Sequence, residues 1–158
     1  MNRKPIVALL FAATISTAFA GEPTQTKAAQ AYVPGMGEIM GATQMRHSKL
    51  WFAGKAGNWP LANYELGEIR EGFDDAVLYH PVFKEGVPVS KILDKFTAPS
   101  LKELEIAIRN KNEKAFRKSF DDLTRACNSC HHAADRGYIV IVRPGESAFS
   151  NQDFNASH

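Results

Sequence analysis

The run Cys127-Asn128-Ser129-Cys130-His131 holds both cysteines of the 158-residue chain and sets a histidine directly behind them. It lies near the end of a long helical pattern, and residues three apart in a helix are neighbours on one face. Two thiols and an imidazole therefore come from a single turn at the end of the last helix. Whatever they hold has to be enclosed by the rest of the chain, which favours a fold that stacks other helices against that end.

Two thiols at this spacing can add across the two vinyl groups of one haem, with the next residue's imidazole as axial ligand. On this reading Cys127 and Cys130 form the thioethers, His131 binds the iron, and the cofactor is one covalently attached haem c. Other readings fit less well. A thioredoxin-like pair wants its first cysteine at a helix N-terminus after a βαβ pattern. A zinc site needs a second pair of ligands at knuckle spacing, and no other cysteine exists to supply it. A disulfide across two residues within a helix would strain the backbone.

Residues 1–20 read as a secretory signal peptide. Arg3 and Lys4 make the charged start, Ile6 to Ile15 the apolar core, and Ala18-Phe19-Ala20 the small-residue cleavage site before Gly21. The apolar run is too short to span a bilayer, and no later segment is apolar enough to do so. A cleaved signal implies a periplasmic protein without a membrane span after processing, the compartment in which haem c is attached. Cleavage removes Arg3 and Lys4 from the 19 basic residues and nothing from the 17 acidic ones, leaving a formally neutral chain. With no Lys/Arg-rich block either, a nucleic-acid role is set aside.

Residues 21–33 are polar and without period, a disordered lead-in. From about Pro34 to Gly57, Met36, Met40, Thr43, His47, Leu50 and Ala53 fall on one helical face, with Met45 pointing the other way. Asn58-Trp59-Pro60 supplies a cap and a first-turn proline for a second helix to about His80, striped by Leu66, Ile69, Phe73, Ala76 and His80 and stopped by Pro81. Residues 81–98 read as a long connection with one short helical piece, Ser90 to Phe96. A third helix follows to about Lys111 through Leu101, Leu104 and Ile108. After a turn at Asn110 to Asn112 a fourth runs to about Arg136, with Phe116, Phe120, Leu123, Cys127 and Cys130 in its stripe. Gly137 suits its C-cap. The tail, 137–158, opens with the β-branched run Tyr138 to Val142; too short for a sheet, it is expected to lie as an extended strap over the haem edge.

With its haem motif at the end of the fourth amphipathic segment, the chain resembles the class II c-type cytochromes, the cytochrome c′ and cytochrome c556 group. The sharp part of the resemblance is Cys127-x-x-Cys130-His131; the rest, over 34–136, is helix count and order. It implies an all-α, antiparallel four-helix bundle with a C-terminal haem-attachment motif, and a homodimer through the first two helices is among its expectations. The chain departs from the family by continuing for more than twenty residues past its motif and by the build of its second connection.

Such a bundle brings the end of helix four beside the first half of helix one and the end of helix two. His47 is a candidate distal ligand and Met40 the alternative, with Met36 and His80 within range; side chains lean toward their helix N-terminus, which favours positions some way inside helix one. The resemblance maps the distal position nearest His47. Arg46 and Lys49 are candidates for a propionate, or else solvated; His132 faces solvent beside the ligand. A closed sixth position implies a one-electron carrier serving redox partner proteins. An open one implies a five-coordinate binder of nitric oxide or carbon monoxide, and a third reading is a haem subunit of a larger redox complex that docks through the tail. No arrangement of Ser, His and Asp, phosphate loop or spaced carboxylate pair argues for an enzyme.

Overall fold

Three turns of the same design punctuate the helices. In a computed structural model that describes residues 32–82 and 86–155, α1 (Met36–Lys55) and α4 (Ala98–Arg109) are followed by Gly57 and Lys111 in the left-handed region, at φ 72° and 52°. Asp135, at φ 56°, plays the same part after α5 (Glu113–Ala133). In each case the next amide reaches back five residues, Asn58 to the Ala53 carbonyl, Asn112 to Ala107 and Arg136 to His131. The last free carbonyls of each helix are thereby satisfied. At α5 this corrects the sequence expectation, because the helix ends before Arg136 and Asp135, not Gly137, takes the left-handed turn. Acidic and amide side chains tolerate that region better than most. Gly137 serves a different need, since a Cβ there would sit 2.4 Å from Nδ1 of the His132 ring.

The helix starts follow the expected signals. The Asn58 side chain accepts from the Leu61 amide at the head of α2 (Trp59–Tyr79), and Asn112 accepts from the Ala115 amide at the head of α5. Pro81 stops α2, and the connection beyond it closes on itself: Val82 and Pro88 pair as an isolated bridge, and the Val89 amide donates to the Pro81 carbonyl. The short piece α3 (Val89–Phe96) then runs through Thr97 into α4. The five helices are the only regular elements among the described residues, so the chain is all-α. The signal peptide at 1–20 and the lead-in up to residue 31 lie outside the described residues. Among the described residues no helix is long and apolar enough to cross a membrane.

Paired residues give the packing. Arg46 meets Glu65 and Glu68, while at the other end the Pro34 carbonyl meets the His80 ring, so α1 and α2 run antiparallel. His47 meets Thr124 while Trp51 meets Phe116 and Phe120, so α1 and α5 do too. Further contacts join α2 to α4, α4 to α5, and α3 to α5. The stripes predicted for α2, α4 and α5 are buried except at the ends beside the cavity, where His80, Cys127 and Cys130 are only partly so. On α1 the buried face also takes in Ile39, Trp51, Phe52 and Gly54. Gly54 has a steric reason: a Cβ there would lie 2.1 Å from the Phe116 ring, which nests directly on the α1 backbone. Met45 points outward as expected.

The tail lies along the helices without forming a strand. The Ile141 backbone pairs with the Asn128 side chain, and Arg143 pairs with Asp121 and lies 4.6 Å over the Trp51 ring. Phe149 sits under the Lys49 ammonium, Phe154 packs on Phe52, and the Asn155 carbonyl accepts from Asn58 at the head of α2. An extended strap thus runs back along α5 and across to the far end of α1.

Candidate functional site

A cavity of about 510 Å³ opens between the first half of α1, the last half of α2, α3 and the end of α5. That lies within the range of about 300–1,000 Å³ usual for small-molecule and cofactor sites. Met36, Met40 and His47 line it from α1, Phe73 and His80 from α2, and Ile92 and Leu93 from α3. Cys127, Cys130 and His131 line it from α5, and Ile139 and Ile141 close one side from the strap. Every residue named in the sequence as a thioether or as an axial ligand or its alternative is therefore on one wall or another.

The two cysteines are free thiols. Burial pushes the Cys127 thiol up to about 12, with neighbouring Cys130 acting in the same direction, and burial also raises Cys130. Both hold their protons at neutral pH. This is the reverse of the depressed thiol found in redox-active pairs, and it suits an S–H addition to a carbon–carbon double bond, which consumes the thiol proton.

His131 is oriented by the chain beyond it. Its Nδ1 lies 2.7 Å from the Ile139 carbonyl, which can only accept, so Nδ1 carries the hydrogen and the neutral ring's Nε2 keeps its lone pair. A metal-binding imidazole is commonly held in this way by a carbonyl or carboxylate on its other nitrogen.

His47 is buried, with its ring stacked 4.4 Å from that of Phe120. Its Nε2 lies 2.9 Å from the Thr124 hydroxyl, which itself donates to the Phe120 carbonyl, so the histidine is the donor. Burial lowers its pKa to about 4. Against the ordinary 6.5 of an unfolded chain, this makes the unfolded state the better proton acceptor between the two values. The contribution is fully present above pH 6.5 and is lost as pH falls to about 4, by about 3 kcal/mol in all. Urea unfolding of the wild type and of His47→Gln across this window is expected to give a steeper fall in stability for the wild type; parallel curves would refute it.

Met40 and Met36, half-buried against the core, line the cavity and have no polar partner among the described residues. Arg46 and Lys49 are not on its wall: Arg46 is tied to Glu65 and Glu68, and Lys49 lies over Phe149. Glu65, fully buried, is raised by desolvation against the opposing pull of Arg46. The arginine on the wall is Arg136, which sequence reasoning passed over as the end of a helix. It also passed over Asn128, treated as a spacer; no local pattern signals a side-chain amide pairing with backbone 13 residues away. Among the described residues no three His, Cys, Asp or Glu side chains gather as a metal site by themselves.

No protein-family model matches the chain, and no curated protein or solved structure matches it either.

Proposed function

We propose that the chain is a periplasmic monohaem c-type cytochrome that carries one electron at a time, a divergent relative of the cytochrome c′ and cytochrome c556 group built on an antiparallel four-helix bundle. The observation that carries this is the meeting, on one cavity, of two protonated thiols at attachment spacing and an imidazole whose Nδ1 is already engaged. Support for the bundle comes from the closed circuit of contacts, α1 to α2, α2 to α4, α4 to α5 and α5 to α1.

Bound in the cavity, haem supplies a one-electron ferric/ferrous couple. Cys127 and Cys130 would hold it covalently and His131 would supply a nitrogen to its iron. Of the two distal candidates, Met40 is favoured, because with Nε2–H bonded to Thr124 His47 could offer an iron only Nδ1, and its buried ring is held in a stack on Phe120. Apolar walls from Phe73, Ile92, Leu93 and Ile141 exclude water, which keeps the surroundings fixed between the two charge states. The second reading, a five-coordinate gas binder, has one observation in its favour: an imidazole held back by Thr124 is a polar wall that need not reach the iron.

Absorption spectra of periplasm-matured protein separate the two. Sharp low-spin bands in the reduced form, unchanged by carbon monoxide, are expected of the wild type, and Met40→Ala is expected to become sensitive to carbon monoxide while His47→Ala is not. A wild type that binds carbon monoxide directly moves the assignment to gas binding. Sensitivity appearing only in His47→Ala makes His47 the distal ligand.

A further inference from the structure

The residue after the first cysteine has its side chain committed elsewhere. Asn128 Nδ2 donates to the Ile141 carbonyl at 2.8 Å, and its Oδ1 accepts from the Ile141 amide at 2.7 Å. One side-chain amide thereby makes both bonds that a facing residue would make in an antiparallel ladder. Two residues earlier in the strap, the Ile139 carbonyl accepts from His131 Nδ1. That carbonyl is held from both sides, by the Ile139 amide bonded to the Arg136 carbonyl at 2.8 Å and by the clamp on Ile141.

Little else fixes this stretch. Tyr138, Val140 and Val142 are 77%, 65% and 67% exposed, so of the run 138–142 only Ile141 is buried. The next tie along the tail is Arg143 to Asp121. Fixing a residue's backbone costs on the order of 1–2 kcal/mol, and an exposed strand-like segment has no ladder to repay it. The double bond from Asn128 is what this stretch has instead.

We propose that Asn128 is a positioning residue for His131: by clamping Ile141 it holds the Ile139 carbonyl against Nδ1–H, which fixes the ring's orientation and makes Nε2 the stronger donor. The inference rests on the haem reading above. A stronger axial donor favours ferric over ferrous iron, so the clamp lowers the midpoint potential. Its loss weakens that preference, and each tenfold change in a one-electron equilibrium is about 59 mV. Partners of this kind change metal affinity or activity by about 10- to 100-fold when removed, so a tenfold effect is expected.

The test uses holoprotein matured in the periplasm, wild type against Asn128→Ala, with Ser129→Ala as the neighbouring control. Among the described residues the Ser129 hydroxyl bonds within its own helix, to the Arg125 carbonyl. Three quantities are read: haem retained on a denaturing gel, midpoint potential, and exchange of the His131 Nδ1 proton followed by nuclear magnetic resonance of the reduced form. Expected are retained haem in all three proteins, a potential raised by about 59 mV in Asn128→Ala alone, and at least tenfold faster exchange of its ring proton. Unchanged potential and exchange, or an equal shift in Ser129→Ala, overturns the proposal while leaving the haem reading standing. A wild type without covalent haem overturns the haem reading and this proposal with it. If Asn128→Ala does not accumulate, Asn128→Ser, whose side chain cannot make both bonds, takes its place with the same expected and overturning results.

Discussion

Replacing Cys127 and Cys130 together with alanine is expected to leave the periplasm-matured protein with no haem on a denaturing gel, while the wild type keeps all of its haem through the same treatment. Thioether bonds survive unfolding and coordination does not, so the readout is all or none. Either single replacement keeps one thioether and a reduced signal. The substitutions remove little packing: both cysteines are only partly buried sulfur side chains at the margin of the core. Far-ultraviolet circular dichroism of the double variant is therefore expected to remain helical, which separates lost attachment from lost folding. Haem retained by the double variant would remove the thiols from the site.

Phe116→Ala is expected to do the opposite, costing about 3–5 kcal/mol of stability while leaving the absorption spectrum of the protein unchanged. Phe116 is fully buried. It packs among Trp51, Trp59 and Phe120 at ring-centre distances of 6.0 to 6.3 Å, and its ring fills the notch above Gly54. Three rings and the Gly54 backbone surround it, so the hole left by the ring has little to collapse into it. Against a typical total of about 5–15 kcal/mol the loss is large. It is measured as a drop in the urea midpoint at constant slope. Because Phe116 is not on the cavity wall, a changed spectrum would show that the two ends of the molecule are coupled.

Local information was readable in the chain. Helical period named the inward faces of α2, α4 and α5, and Asn58, Asn112 and Pro81 marked where helices begin or stop. These signals act over one or two turns, the range at which backbone sterics and capping operate. The inward position of His47 was readable for the same reason, whereas its partner Thr124, 77 residues away, was not. Arg46 shows the same limit. Its charge suggested either solvent or an anionic ligand, but the fold answers it with the buried Glu65. At the end of α5 two residues could adopt a left-handed turn, Asp135 and Gly137, and composition favoured the glycine. The chain turns at Asp135, and Gly137 instead makes room for the His132 ring, a packing fact with no local signature. The strap was foreseen as extended, but its route depends on single side chains reaching backbone far away.

The separations along the chain also set an order in time. The strap's bonds to α5 close loops of only 8 and 13 residues, His131 to Ile139 and Asn128 to Ile141. The opposite wall reaches α5 through contacts such as His47 to Thr124, 77 residues apart, and the strap's far end through Asn58 to Asn155, 97 apart. Short loops close first and distant pairs later. The half of the cavity that bears the thiols can therefore assemble with its histidine already oriented while α1 and α2 are still to arrive. In that order of assembly Cys127 and Cys130 are expected to face solvent from a finished turn, where a bulky group reaches them without passing through a closed wall.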